Sequence, residues 1–322
     1  MSYSAAAKAL TTATDIVVTT HLNPDGDGIG ACLALMLGLE GQGKHVRFLC
    51  PSKVSSIYAF LPGFDRLRVI ENEAVAKAEP ACEVMISCDA GDLKRLGTVA
   101  QVAHGKLLNL DHHLTNDRFG HINVVDVTGE SSGVVVSGLL RRLKIPLNRD
   151  LATCLYATVV FDTGRFMHSN TTAHTFRWTA RLLDTGIDAA AINRALTYTR
   201  SRHDLALQSL AISKLVVDEQ VPAIAGMALT AEDIAQTGVP EDWGDLVEIP
   251  RSLAGNQIAY LMREAADHKS VRISLRSNPP VAVGIVAQAF GGGGHAQAAG
   301  CTFPGTLAEA QREVLTRLRR QI

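Results

Sequence analysis

The sequence of 322 residues predicts an α/β protein: an N-terminal parallel sheet with helices on both faces, a helical linker, and a smaller C-terminal α/β domain. Three observations carry that expectation. Apolar runs of strand length alternate with segments of helical period through the first half, which implies a parallel sheet. A glycine placed like a helix C-cap, in Asp184-Thr185-Gly186, closes that series. The chain is also long enough for two domains, each with its own core. The expected boundaries are residues 1–186, a linker and hinge at 187–213, and 214–322.

The first apolar run, Ile16 to Thr20, reads as a buried strand. His21-Leu22-Asn23-Pro24-Asp25-Gly26-Asp27-Gly28-Ile29-Gly30 follows as a turn, and Ala31 to Leu37 as a helix. His45 to Cys50, Cys82 to Cys88 and Lys106 to Leu110 are the next strands. Ser131 to Leu143, Leu151 to Phe161 and Ala173 to Leu183 have helical period. Ala189 to Leu196 and Leu205 to Leu215 read as linking helices, with the hinge around Thr185 to His203. In the C-terminal part, Ala223 to Leu229, Ile258 to Met262, Val271 to Leu275 and Cys301 to Phe303 are strands, and Leu307 to Leu318 closes the chain as a helix.

Composition excludes several classes. No apolar run approaches the ~20 residues needed to span a membrane, and Met1 to Thr14 lacks the pattern of a signal peptide. The six cysteines (Cys32, Cys50, Cys82, Cys88, Cys154, Cys301) are scattered, which suits a reducing, cytoplasmic setting without disulfides. A formal net charge of −1 argues against binding along a long nucleic-acid polymer, where many phosphates must be neutralised.

Four distant segments each deliver carboxylate or imidazole to the end of an element. They are the turn with His21, Asp25 and Asp27, then Asp89 after the third strand, Asp111-His112-His113 after the fourth, and Asp162 where an apolar helix stops. Singly, each aspartate reads as an ordinary turn or helix cap. Together they read as one site, because a parallel sheet brings its strand ends to one edge, where such sheets bind ligands. If Asp25 to Asp27 is extended, both carboxylates lean one way, about 6–7 Å apart at the backbone. Carboxylate and imidazole without thiolate favour Mn(II), with Mg(II), Fe(II) or Co(II) as alternatives, over a structural zinc. Such ions acidify bound water, which equips a site to hydrolyse phosphate esters.

In the C-terminal part, Arg272, Ser274 and Arg276 alternate with apolar residues, so one strand face carries two guanidinium groups suited to phosphate. Gly291-Gly292-Gly293-Gly294-His295 can form a nest of backbone N–H groups around an anion, with His295 beside it. Arg165 and His168, just past Asp162, read equally as substrate contacts or as a helix-end surface. His45, His104, His121, His174, His203 and His268 match no block and read as structural or surface residues.

The Asp-His-His triplet, with His-x-x-Pro-Asp-x-Asp-x-x-Gly upstream, resembles the DHH phosphoesterase superfamily. The tail from Gly291 to Gly300 is similar to the glycine-rich motif of the DHH-associated C-terminal domain. Within the superfamily, the size and the two bare domains resemble the nanoRNase/pAp phosphatase group. The resemblance implies two divalent ions. One would be held by His21, Asp25 and Asp89, the other by Asp27, His112, Asp162 and the second oxygen of Asp89. It also implies that Asp111 orients a histidine, that His113 faces the scissile phosphate, and that Arg272, Ser274, Arg276, Gly292, Gly293, Gly294 and His295 hold the substrate. The implied activity is hydrolysis of short oligoribonucleotides (nanoRNA) to mononucleotides, and of 3′-phosphoadenosine 5′-phosphate (pAp) to AMP, on a phosphate held between the two domains of a cytoplasmic homodimer. The alternatives are a phosphodiesterase for cyclic di-AMP or linear pApA, a RecJ-like exonuclease, an inorganic pyrophosphatase, and a nucleotide sensor without activity.

Overall fold

The computed structural model describes residues 3–198, 201–238 and 246–322. It divides into two compact units, Met1–Thr199 and Arg200–Ile322.

In the first unit, helix α1 (Tyr3–Thr12) leads into β1 (Asp15–Thr19), α2 (Gly26–Glu40) and β2 (His45–Cys50). The short β3 (Arg68–Val69) and α3 (Glu73–Ala78) precede β4 (Cys82–Cys88), β5 (His104–Asp111) and β6 (Ile122–Val125). The six strands are all parallel, in the order β3-β2-β1-β4-β5-β6. The order reverses between β1 and β4, and in open sheets of this kind ligands bind beyond the strand C-termini at that point. Successive residues of β1 enter different cores: Ile16 and Val18 pack with α2, while Val17 packs with Met85, Leu96 and Val99 on the opposite face. Both faces are therefore covered, as the unbroken apolar runs predict.

Four helices complete the unit: α4 (Ser132–Arg142), α5 (Arg149–Asp162), α6 (Ala173–Leu183) and α7 (Ala189–Thr197). Helices α2 and α5 cross closely, and Gly30 permits it. A Cβ at Gly30 would lie 2.6 Å from the Cys154 carbonyl oxygen, which as backbone has little room to give. Gly30→Val is expected to lower stability by about 1–3 kcal/mol through overpacking. The check is a lower urea midpoint with unchanged slope.

Two expectations need correcting. Asp25-Gly26-Asp27 is not one extended segment. Asp25 is extended (φ −112°, ψ −173°), but its Oδ1 accepts from the N–H groups of Asp27 and Gly28, at 3.0 and 3.2 Å, and so starts α2 at Gly26. Asp27 is thus in the first turn of a helix. The expected linker is also shared out: α7 buries Ile192 in the first unit's core, whereas α8 (Arg202–Ser213) buries Leu207 and Ala211 in the second's.

The second unit continues through β7 (Val216–Val217), β8 (Ile224–Leu229), α9 (Ala231–Gln236), α10 (Glu248–Arg251) and β9 (Ile258–Glu264). It ends with β10 (Ser270–Ser277), α11 (Gly284–Gln288), β11 (Gly293–Gly294), β12 (Ala298–Pro304) and α12 (Leu307–Leu318). Its sheet has the order β11-β12-β10-β9-β8-β7, with β8 and β9 parallel and the other pairs antiparallel. One face, with Tyr260, Ile273 and Leu275, packs on α11 and α12; the other, with Met227 and Leu261, packs on α8. All six cysteines are buried free thiols. Among the described residues, no helix is long and apolar enough to cross a membrane.

Candidate metal centre

Beyond the ends of β1, β4 and β5, three candidate ligand groups overlap. His21, Asp25 and Asp89 form one, Asp27, His112 and Asp162 another, and Asp89, Asp111, His112 and His113 a third that touches both, with the ligand atoms of each group within 4.8 Å of one another. Asp89 follows β4 at a left-handed φ of 58°, which costs energy for a residue with a Cβ and turns its carboxylate across the strand ends. Its Oδ2 lies 3.3 Å from His21 Nε2, and its Oδ1 lies 3.8 Å from His112 Nε2. Asp162, the last residue of α5, brings Oδ2 to 2.9 Å from His112 Nε2.

The histidines are oriented by backbone carbonyls. His21 Nδ1 lies 2.8 Å from the Leu22 carbonyl and His112 Nδ1 3.2 Å from that of Gly129. A carbonyl only accepts, so each Nδ1 carries the proton, and each Nε2 lone pair faces carboxylate oxygens. His21 Nε2 is buried without a hydrogen-bond partner, 3.3 Å from Asp89 and 3.6 Å from Asp25. Acceptors facing acceptors in a buried site need a cation or a proton between them. Burial opposes the His21 cation, but the carboxylates of Asp25 and Asp89 outweigh it and lift the pKa to about 10. His112 is also raised, against burial, by Asp162 first and then by Asp27 and Asp89. Asp27 is pushed well up by burial and by the charges of Asp162 and Asp89. This site draws positive charge inward, and its oxygen and imidazole donors suit a divalent metal.

The first turn of α4 holds the carboxylates in place. Asp27 Oδ2 accepts from the Ser132 N–H at 2.6 Å and Oδ1 from Gly133 at 3.1 Å, at the positive end of that helix. Ser132 Oγ donates to Asp89 Oδ1 at 3.2 Å. Asp111 is fully buried; its Oδ1 accepts from His113 Nδ1 at 2.8 Å and from the N–H of His112, while Oδ2 accepts from Asn116 Nδ2. Burial pushes the Asp111 carboxyl up, yet the hydrogen bonds from His113 and Asn116 hold it at about 2. His113 is less buried than His112, stacks edge-on against it at 4.9 Å, and has Nδ1 tied to Asp111. Past Asp162, His168 Nδ1 turns back onto the Asp162 carbonyl and braces the end of α5, while Arg165 is exposed. The histidines outside the blocks serve locally: His121, for example, accepts from Leu107 N–H, and His203 bonds the Thr237 carbonyl.

In the second unit, Arg272, Ser274 and Arg276 share one face of β10. Arg272 is exposed, whereas Arg276 Nε donates to Glu248 at 3.0 Å. Arg263 of β9 is the cross-strand partner of Arg272; burial and that neighbouring charge lower it to about 10. The glycine run is not a nest. Gly293 and Gly294 pair with Gly300 and Ala299 of β12, and the N–H groups of Gly292 and His295 go to Ala287 and Ala298 carbonyls. A Cβ at Gly292 would lie 2.1 Å from the Gly300 carbonyl oxygen, so close strand pairing, not an anion, accounts for that glycine. His295 itself is exposed.

Two family models match the chain: the DHH family N-terminal domain over residues 15–159 and the DHHA1 domain over residues 228–322. The bifunctional oligoribonuclease and PAP phosphatase NrnA of Thermus thermophilus is 30% identical over 94% of this chain and 90% of its own length. The chain belongs to the DHH family. The Bacillus subtilis protein of the same name is 24% identical, covering 89% of each chain. A crystal structure of an exopolyphosphatase-related protein from Bacteroides fragilis superposes with a TM-score of 0.87 at 26% identity, over 98% of this chain and 94% of that one.

Asp162 lies just past the end of the matched DHH region. Sequence reasoning missed Ser132, Gly133, Asn116 and Arg263. The Ser131-Ser132-Gly133 helix start was a usable signal for a carboxylate partner, since unpaired N–H groups there attract anions. The apolar run of β9 ends at Met262, so hydrophobic periodicity leaves no sign of Arg263.

Proposed function

We propose that this chain is a phosphoesterase that uses two divalent cations to hydrolyse short oligoribonucleotides to mononucleotides and pAp to AMP. The observation that carries the reading is Asp89, one oxygen of which faces His21 while the other faces His112. One cation would be held by His21, Asp25 and Asp89, the second by Asp27, His112, Asp162 and Asp89. Charge supports two ions: Asp25, Asp27, Asp89 and Asp162 bring four negative charges, which two dications balance. The donor set fits Mn(II). The Thermus thermophilus and Bacillus subtilis relatives are named for both activities.

When bound, the cations neutralise charge on a phosphoryl group and acidify water for its attack. The chain's own groups do the rest. Asp111 accepts from His113 Nδ1 and, against burial, raises that imidazole's pKa, so its cationic form has an Nε2–H to donate to the scissile phosphate. In the second unit, Arg272, Ser274, Arg276 and His295 would bind phosphate. Gly292 leads into the edge strand of Gly293 and Gly294, and at Gly293, where a Cβ would meet nothing within 4 Å, a nucleotide can approach the backbone closely.

The test is a panel of di- to pentanucleotides, pAp, cyclic di-AMP and linear pApA with Mn(II), with products identified. Turnover of pAp and dinucleotides to mononucleotides is expected. Hydrolysis of cyclic di-AMP alone would overturn the substrate assignment, and no turnover of any would overturn the enzyme. Arg272→Ala and Arg276→Ala should each raise KM for pAp about tenfold or more, the loss of a charged hydrogen bond, at unchanged Mn(II) affinity. Unchanged KM in both removes these arginines from the site.

A further inference from the structure

The first unit also holds a cavity of about 860 Å³ away from the carboxylates. Its apolar wall comes from Val134 and Leu140 of α4, Leu151 and Leu155 of α5, and Trp178 of α6. At the rim stand Arg141, Lys144 and Arg181, all exposed. Among the described residues, no carboxylate forms an ion pair with any of the three. Of the other charged groups of the lining, His174 faces Glu130 at 3.3 Å. Asp126, whose Oδ1 accepts from Thr128 N–H and Oγ1 at 3.1 and 2.7 Å, sets one carboxylate against the three cations and leaves the lining positive. An apolar body with free cations at its mouth selects an amphipathic anion. The volume lies in the range of small-molecule sites, about 300–1,000 Å³.

The wall also touches the metal centre's scaffold. Thr128 and Gly129 line the cavity, and the Gly129 carbonyl accepts from His112 Nδ1 at 3.2 Å. One side of this turn meets the cavity while its carbonyl orients a histidine of the cluster.

We infer that this cavity is a second ligand site, for an apolar molecule with a carboxylate or phosphate head, and that its occupancy is felt at His112. Binding is independent of the activity proposed above, while the coupling rests on His112 holding a metal. Trp178 supplies the signal. Trp243→Phe leaves it as the single tryptophan of the chain's two.

In that background, metal-free protein is titrated below micellar concentrations with decanoate and with decyl phosphate; acetate and 1-decanol are controls. A saturable change in Trp178 emission is expected with the long anions and not with acetate, and the tighter of the two names the head group. Arg141→Glu with Arg181→Glu should weaken binding at least about fivefold, a surface change that leaves the core untouched. Ser137→Phe, which places a ring among the lining side chains and takes space from an apolar chain, should weaken it at least about tenfold. Absence of a saturable signal, equal affinity in the charge-reversed variant, equal affinity for 1-decanol, or a signal that follows protein concentration as pairing of two copies would overturn the site. The coupling is read as Mn(II) affinity by calorimetry, with and without saturating ligand. A change of at least about threefold, smaller in Ser137→Phe at the same ligand concentration, is expected, and identical affinities overturn the coupling. Failure to bind Mn(II) at all would overturn the coupling and the proposed function while leaving the ligand titration intact.

Discussion

Asp89→Ala is expected to lower hydrolysis of pAp and of a dinucleotide by at least about 10³-fold, or about 4 kcal/mol of transition-state stabilisation. The reason is that one side chain serves two ligand groups, with Oδ2 at 3.3 Å from His21 Nε2 and Oδ1 at 3.8 Å from His112 Nε2. Bound Mn(II) should fall below one ion per chain, whereas Asp25→Ala should retain the ion on the Asp27, His112 and Asp162 side. Folding gives an independent readout. Without metal, removing Asp89 relieves part of the repulsion on Asp27, whose carboxyl burial and Asp162 push up first. It also takes an acceptor from Ser132 Oγ and a partner from His21, so the metal-free variant should melt close to the metal-free parent. With Mn(II), the parent gains stability from binding and the variant gains little. Full activity in a folded Asp89→Ala protein would remove the bridging role and, with it, the two-ion site. Loss of activity at unchanged metal content would assign Asp89 to substrate instead.

The parts of this site legible in the sequence were those where an apolar run stops at a charged residue. Asp89 follows Cys82–Cys88 and Asp111 ends His104–Asp111, and parallel pairing then puts both at one edge. What stayed hidden depends on contacts remote along the chain. Ser132 and Gly133 donate to Asp27 across more than a hundred residues, and no local pattern encodes that pairing. The start of α2 was hidden for a different reason. Gly26, Gly28 and Gly30 lower helix propensity, but close packing on α5 requires a bare position at Gly30 and overrides it. The glycine run before His295 misled in the opposite direction: glycine suits an anion nest, yet here it permits antiparallel pairing with β12. Glycine has no side chain, so hydrophobic periodicity carries no sign of such a strand.

Asp111→Asn is expected to lower kcat about 10–100-fold while Mn(II) content stays near that of the parent. Asp111 is fully buried and acts only as an acceptor: the N–H of His112 at 2.8 Å, His113 Nδ1 at 2.8 Å, and Asn116 Nδ2. An asparagine keeps one oxygen and turns the other into a donor. If the oxygen stays with the histidines, the new NH₂ faces Asn116 Nδ2, which also serves the Ala90 carbonyl and Asn109 Oδ1. In the other orientation the NH₂ faces the backbone N–H groups of His112 and His113 as well as His113 Nδ1, a worse arrangement. Either way a buried donor loses its acceptor, so stability should drop by about 1–3 kcal/mol. The kinetic effect has a separate origin. His113 loses the charge that pins its proton on Nδ1, while His112 keeps its own orientation through the Gly129 carbonyl. A fall in kcat with KM and metal content near normal therefore assigns Asp111 to positioning His113. Loss of both ions would mean that Asp111 supports the metal ligands directly, and unchanged kcat would remove His113 from the reaction.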